Sequence, residues 1–154
     1  MSTSPPTPGA PSLRAIFKAY DVRGIVPDEL SAEMAYAIAH GFATFSRTPD
    51  GRSDLVVARD MRLSGPELLA AIVAGATAAG ANVIDIGLAS TDMLYFATGY
   101  LSAPGIMLTA SHNPAMYNGM KFCLANASPV GEESGLKEVL ALAEAGEGDV
   151  PSPI

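Results

Sequence analysis

The chain of 154 residues has no tryptophan, five tyrosines, five phenylalanines and a single cysteine, Cys123. One thiol cannot form a disulfide within the chain, so stability must come from packing, and Cys123 itself reads as a small buried core residue. No apolar run approaches the roughly 18 residues that a membrane-spanning helix needs, so no membrane partner is expected. Positive charge is scarce as well. Nine Lys and Arg stand against 16 Asp and Glu, a formal charge of -7, which repels a phosphate backbone and argues against nucleic acid. A small phosphorylated molecule stays possible, because a local group of cations and helix N-termini can hold an anion on an acidic protein. Neither a P-loop nor a GxGxxG pattern is present, and the G-x-S-x-G elbow of serine hydrolases is missing. The start, MSTSPPTPGAPS, carries four prolines but no basic segment followed by an apolar one. It therefore reads as a disordered leader over residues 1–14 rather than a signal peptide or anchor, and a cytoplasmic location is expected.

What the sequence does have is a high apolar content, 49% of residues with a mean hydropathy of +0.26, enough for one substantial core. Ala15 to Tyr20 is short and partly alternating, and predicts a strand running into a turn at Asp21 to Gly24. Met34, Ile38, Phe42 and Phe45 recur at helical spacing after Ser31, and Thr48 to Gly51 closes that helix. Leu55 to Ala58 predicts a strand covered on both faces. Ser64-Gly65-Pro66-Glu67 has the form of a capping box ahead of a helix over Leu68 to Ala79, which Gly80 stops. Val83 to Ile86 predicts the next strand. Thr91 is expected to cap a helix over Asp92 to Leu101, followed by strands at Gly105 to Thr109 and Met120 to Leu124 and a helix from Glu132 to Ala145.

This alternation predicts an α/β layered domain with a mixed, mostly parallel sheet flanked by helices. Only about ten residues separate the final two strands, too few for a helical crossover, so that pair should be antiparallel.

The segment Leu108 to Gly119, LTASHNPAMYNG, sets Ser111, His112 and Asn113 side by side at the end of an apolar strand, with Pro114 and a Tyr-Asn-Gly turn after them. Ligands in open α/β sheets gather where strands end and loops begin. Ser111 and Asn113 could equally be short polar residues that close a turn with their own backbone. A hydrolase fits poorly, because adjacent serine and histidine cannot easily reach triad geometry. Metal binding through His112 is weaker still, as His40 sits in mid-helix and should pack or face solvent.

Three stretches in order change the reading. TASHNPAMYNGMKF resembles the active-site serine loop of the α-D-phosphohexomutases, the phosphomannomutase/phosphoglucomutase family. FKAYDVRG, from Phe17 to Gly24, is similar to the family's N-terminal active-site turn, and ARDMRLSG, from Ala58 to Gly65, to its G-R-D-x-R-x-S segment, with Ala58 in the glycine position. The resemblance runs from about Ile16 onward. It implies the first of four domains, over residues 15–146, with a linker at 147–154 and domains 2–4 absent.

By that resemblance Ser111 is the residue that is phosphorylated and hands its phosphoryl group to a hexose phosphate. Lys121 and Arg23 are implied to aid charge and proton handling, and Tyr20, His112 and Asn113 to make polar contacts or orient groups around the phosphoserine, with His112 counted among the implied catalytic residues and Tyr20 and Asn113 among those binding substrate or phosphate. A group carrying about -1.5 to -2 of charge needs such cations and donors around it. The residues alone leave open that Tyr20 is a core ring, Arg23 a solvated turn residue and Lys121 an edge-strand charge. Asp60 and Arg62 read as a local ion pair that shapes the loop. The family's magnesium ion is implied to meet Ser111 through a phosphate oxygen and to be held mainly by an aspartate-rich loop in an absent second domain. A hexose 1,6-bisphosphate is the implied activator and intermediate. Tyr117-Asn118-Gly119 resembles phosphomannomutase members more than glucosamine-specific ones, which leaves a phosphoglucosamine mutase domain or a stand-alone phospho-accepting module as alternatives. The uncovered apolar surface of a lone domain is expected to promote self-association.

Overall fold

The computed structural model describes residues 12–51 and 53–146. Five strands form one sheet in the order β1-β5-β4-β2-β3, where β1 is Val22–Ile25, β2 Asp54–Arg59, β3 Asn82–Leu88, β4 Gly105–Leu108 and β5 Tyr117–Cys123. The helices are α1 (Leu13–Ile16), α2 (Ala32–Phe45), α3 (Gly65–Ala78), α4 (Thr91–Leu101) and α5 (Leu136–Ala145). Strand β2 pairs in parallel with β3 and β4, while β5 lies antiparallel to both β4 and β1. Four strands thus run one way and β5 alone runs against them. This is the mixed α/β sheet expected from the pattern, with the antiparallel final pair.

Alternation along the strands sorts side chains into two cores. Leu55, Val57, Ile106, Leu108, Met120 and Phe122 face α2, α3 and α5 in the larger one. Val56, Ala58, Met107 and Cys123 face the other way, with Leu94 of α4. Strand β2 is buried on both faces, as its unbroken apolar run requires. The Phe42 and Phe122 rings meet at a centroid distance of 4.8 Å, joining α2 to β5, an aromatic contact worth about 0.5–1.5 kcal/mol beyond area burial. His40 takes the packed alternative: it is buried and stacks on Tyr36.

Several boundaries differ from expectation. The strand predicted at Ala15 to Tyr20 is instead the turn of helix α1 followed by a single bridge from Phe17 to Val22, and the predicted turn at Asp21 to Gly24 is mostly strand β1. Pairing with β5 overrides the weak local pattern. Leu13 and Arg14, inside the expected leader, are helical, with Arg14 ion-paired to Glu144 at 2.8 Å; residues 1–11 of the leader and the expected linker at 147–154 lie outside the described residues.

Tyr117 to Gly119 belongs to β5 rather than to a turn, because β1 offers partners for it: Ile25 opposes Tyr117 and Arg23 opposes Gly119. The final helix is broken at Gly135, whose φ of 135° is open to glycine and strained for other residues. A short 3-10 turn, Glu132–Ser134, precedes it.

Candidate functional site

Ser111 sits three residues beyond β4, exposed, with φ of 53°. A side chain in the left-handed region costs roughly 1–2 kcal/mol, so the surroundings must hold it there. Arg62 binds the loop backbone closely. Its side chain is 5% exposed, and the guanidinium donates to four loop carbonyls: Nη1 to Pro114 at 2.8 Å and Tyr117 at 3.0 Å, Nη2 to Ser111 at 2.8 Å and Asn113 at 2.9 Å. Its Nε lies 3.5 Å from Asp60 Oδ2, an ion pair without hydrogen-bond alignment. The Asp60–Arg62 pair therefore exists, but the carbonyl bonds are the larger part of how the segment shapes the loop.

Asp60 completes the brace. Its Oδ2 accepts from Thr109 Oγ1 at 2.6 Å, and Thr109 Oγ1 accepts from the Ser111 backbone N–H at 3.0 Å. Asn113 closes the bend, with both its backbone N–H and its Nδ2 donating to the Ala110 carbonyl. Asn113 thus has the turn-closing geometry, and its Oδ1 is the end left to face a ligand. Asn118, fully buried, donates through Nδ2 to Ser64 Oγ at 2.9 Å and accepts the Gly119 N–H at Oδ1.

The two cations lie on the strands beside the loop. Thr109 N–H donates to the Gly119 carbonyl, which extends the β4–β5 ladder, and Arg23 opposes Gly119 from β1. Thr109, Gly119 and Arg23 therefore form one row across the sheet, and adjacent strands stand about 4.8 Å apart. Lys121 is opposite Met107, one pleat further from the loop, on the face that Met107 and Cys123 share with α4. Asp21 joins the cations: its Oδ1 accepts from Arg23 Nε at 3.1 Å, and its Oδ2 lies 3.6 Å from Lys121 Nζ. Asp21 is buried while both cations keep part of their surface open. One carboxylate between two cations leaves the group net positive, the sign a phosphate needs. Tyr95 of α4 borders the group; burial, and then the negative charge of Cys123, Asp21 and Asp92, pushes its phenol up from the ordinary value.

His112 is exposed next to Ser111. Tyr20 is 78% exposed and so is not a core ring. It borders an open cavity of about 630 Å³ with Gly131, Glu132 and Ser134. Among the described residues no cluster of three or more His, Cys, Asp or Glu side chains could hold a metal ion. Asp21 and Asp60, the carboxylates bonded to the loop or to the cations beside it, are already taken by cations and a hydroxyl. The described residues do not by themselves assemble a magnesium centre. Among the described residues, no helix is long and apolar enough to cross a membrane.

Residues 14–148 match the family model described as "Phosphoglucomutase/phosphomannomutase, alpha/beta/alpha domain I". The chain belongs to the phosphoglucomutase/phosphomannomutase family. It is similar to a phosphomannomutase of Vibrio cholerae, 45% identical over 133 residues that make up 85% of this chain and 29% of that protein. A phosphomannomutase of Klebsiella pneumoniae is 43% identical over 129 residues, 83% of this chain and 80% of that protein. Among solved structures, a phosphoglucomutase/phosphomannomutase family protein of Burkholderia thailandensis superposes with a TM-score of 0.73 at 35% identity, over 86% of this chain and 30% of the other. The chain therefore spans about 30% of the length of several relatives, as a single domain of a larger enzyme would.

Asp21 and Asn118 make contacts within the candidate site that sequence reasoning missed. Each was visible only as a polar residue inside a motif, Asp21 in YDVRG and Asn118 in YNG. Their partners come from strands and loops distant in sequence, so only the sheet register brings the pairs together.

Proposed function

We propose that this domain I carries the phosphoserine of a phosphohexomutase, with Ser111 Oγ as the phosphoryl carrier between hexose 6-phosphate and hexose 1-phosphate. The observation that carries the reading is an exposed serine held in a left-handed conformation by a braced loop, beside the net positive Arg23–Asp21–Lys121 group. In the forward half-reaction the Oγ–P bond of phosphoserine breaks as a sugar hydroxyl oxygen bonds to phosphorus. That hydroxyl gives up its proton, and the released serine oxygen takes one. The bisphosphate then returns its other phosphoryl group to Ser111, regenerating the phosphoserine.

Arg23 and Lys121 supply positive charge to the equatorial oxygens of the transferring group, where positioning and electrostatics provide most of the acceleration. His112, exposed beside the serine, handles the proton, and Tyr20 and Asn113 Oδ1 contact sugar or phosphate. A magnesium ion would supply further charge neutralisation. Ser111's phosphate oxygen is this chain's one contribution to holding it, and the remaining ligands come from elsewhere in the enzyme.

Intact-mass spectrometry of the protein, before and after treatment with hexose 1,6-bisphosphate, tests the assignment. A mass gain of one phosphoryl group that maps to Ser111 and vanishes in Ser111→Ala supports it. An unmodified wild type after exposure to the bisphosphate and the complementary domains refutes it. A second reading, a stand-alone phospho-accepting module acting with a separate subunit, is favoured by one observation: the Klebsiella relative is short enough for this chain to span 80% of it. Turnover restored by adding the remaining domains as a separate polypeptide would distinguish the two.

A further inference from the structure

The four carbonyls that converge on Arg62 belong to Ser111, Asn113, Pro114 and Tyr117, spanning the whole bend between β4 and β5. A guanidinium has five N–H donors in a rigid fork. Here the four on Nη1 and Nη2 meet carbonyl oxygens, and the fifth, on Nε, faces Asp60. The Nε–H makes no hydrogen bond, but it is buried against Asp60, so no donor stands open to a phosphate. Burial, and carbonyl partners on both Nη1 and Nη2, thus separate Arg62 from Arg23, whose side chain is 39% exposed and pairs with Asp21.

We infer that Arg62 is a positioning residue for phosphoryl transfer. It holds the Ser111 backbone in its left-handed conformation by gathering the loop carbonyls, with Asp60 and Thr109 bracing the opposite side of the same residue. The inference rests on the reading of Ser111 as phosphoryl carrier for its consequence, but not for the loop geometry. Its action lies in the shape of the fork rather than in its charge. Lysine keeps the charge but presents a single nitrogen, which cannot reach four carbonyls lying on two sides of a planar group. If Arg62 acted instead as a diffuse positive charge beneath the phosphate, lysine would largely restore function.

Two variants, R62K and R62Q, decide the matter by two readouts. In the 154-residue chain, hydrogen exchange of the amides of residues 111–117 should accelerate in both, while the amides of β2 and β4 stay as protected as in wild type, showing an intact sheet. In the mutase that carries this domain, both variants should lower kcat on the order of 100-fold, the scale expected of about 1 Å of misplacement, with KM for hexose 1-phosphate within about threefold, since Arg62 touches no substrate. An R62K that keeps wild-type kcat, or wild-type exchange across the loop, overturns the inference. If the wild type neither carries phosphate nor turns over sugar phosphate, the functional reading fails, and the exchange data alone then decide whether Arg62 holds the loop.

Discussion

At the scale of single residues, the site is a division of labour among three arginine-containing or lysine-containing contacts. Arg62 is enclosed and bonded to loop carbonyls through both Nη1 and Nη2, whereas Arg23 and Lys121 are tethered by Asp21 yet partly open. Two like charges brought to one place repel, and the buried carboxylate between them offsets that repulsion while leaving net positive charge. Of these, Arg23, Lys121 and Arg62 stood out in the motifs; Asp21 did not, because a carboxylate within a motif gives no hint of which cations it will meet.

On the same face, Cys123 and Tyr95 titrate above their ordinary values, chiefly because burial disfavours the charged forms. The folded state holds those protons more tightly than the unfolded chain does. Stability from them is therefore complete below the unfolded thiol value near 9.0 and is lost as pH rises through the folded values. Urea midpoints measured from neutral to alkaline pH should fall above pH 9, and Cys123→Ala should flatten the early part of the fall. A midpoint that climbs in this range contradicts the prediction.

At the scale of elements, local signals succeeded where local chemistry decides and failed where partners do. Ser31 caps α2 as its position suggests, accepting from the Met34 N–H at 3.2 Å. The capping box at Ser64 does not form: its backbone is already helical, at φ of -76° and ψ of -6°, and Asn118 has taken the hydroxyl. For α4 the cap is Ser90, one residue ahead of Thr91, accepting from the Met93 N–H.

Close helix packing is another property that sequence spacing conceals. Gly75 of α3 faces the backbone of α2, and a Cβ there would overlap the carbonyl oxygen of Tyr36. Gly75→Ala should therefore destabilise the chain by about 1–3 kcal/mol through overpacking, the reverse of the gain that alanine brings to an open helix position. Chemical denaturation reads the sign directly, and a stabilised variant would show that α2 and α3 are not so closely apposed.

At the scale of the whole molecule, the two faces of the sheet are covered unequally. Among the described residues, α2, α3 and α5 pack on one face together with Ile16 of α1, while α4 serves the other and turns Met93, Phe96 and Tyr100 to solvent, with Phe96 and Tyr100 stacked at 5.8 Å. Leu88, at the end of edge strand β3, is exposed as well. Contiguous exposed apolar side chains tend to find partners. The isolated chain should therefore self-associate in sedimentation velocity, and Phe96→Ser with Tyr100→Ser should shift it toward monomer. A wild type that sediments as monomer at high concentration would count against this.

Three short motifs drew attention to Ser111, and from α2 onward the order of strands and α-helices, the antiparallel last pair and the doubly buried β2 were readable from the chain, because apolar periodicity is a local property. The pairing of β1 with β5, the burial of Arg62 under the serine loop and the meeting of Asp21 with two cations were not. They depend on residues up to about a hundred positions apart becoming neighbours, as Asp21 and Lys121 do, and that proximity arises only when the sheet register is set by burying one alternate row of side chains and exposing the next.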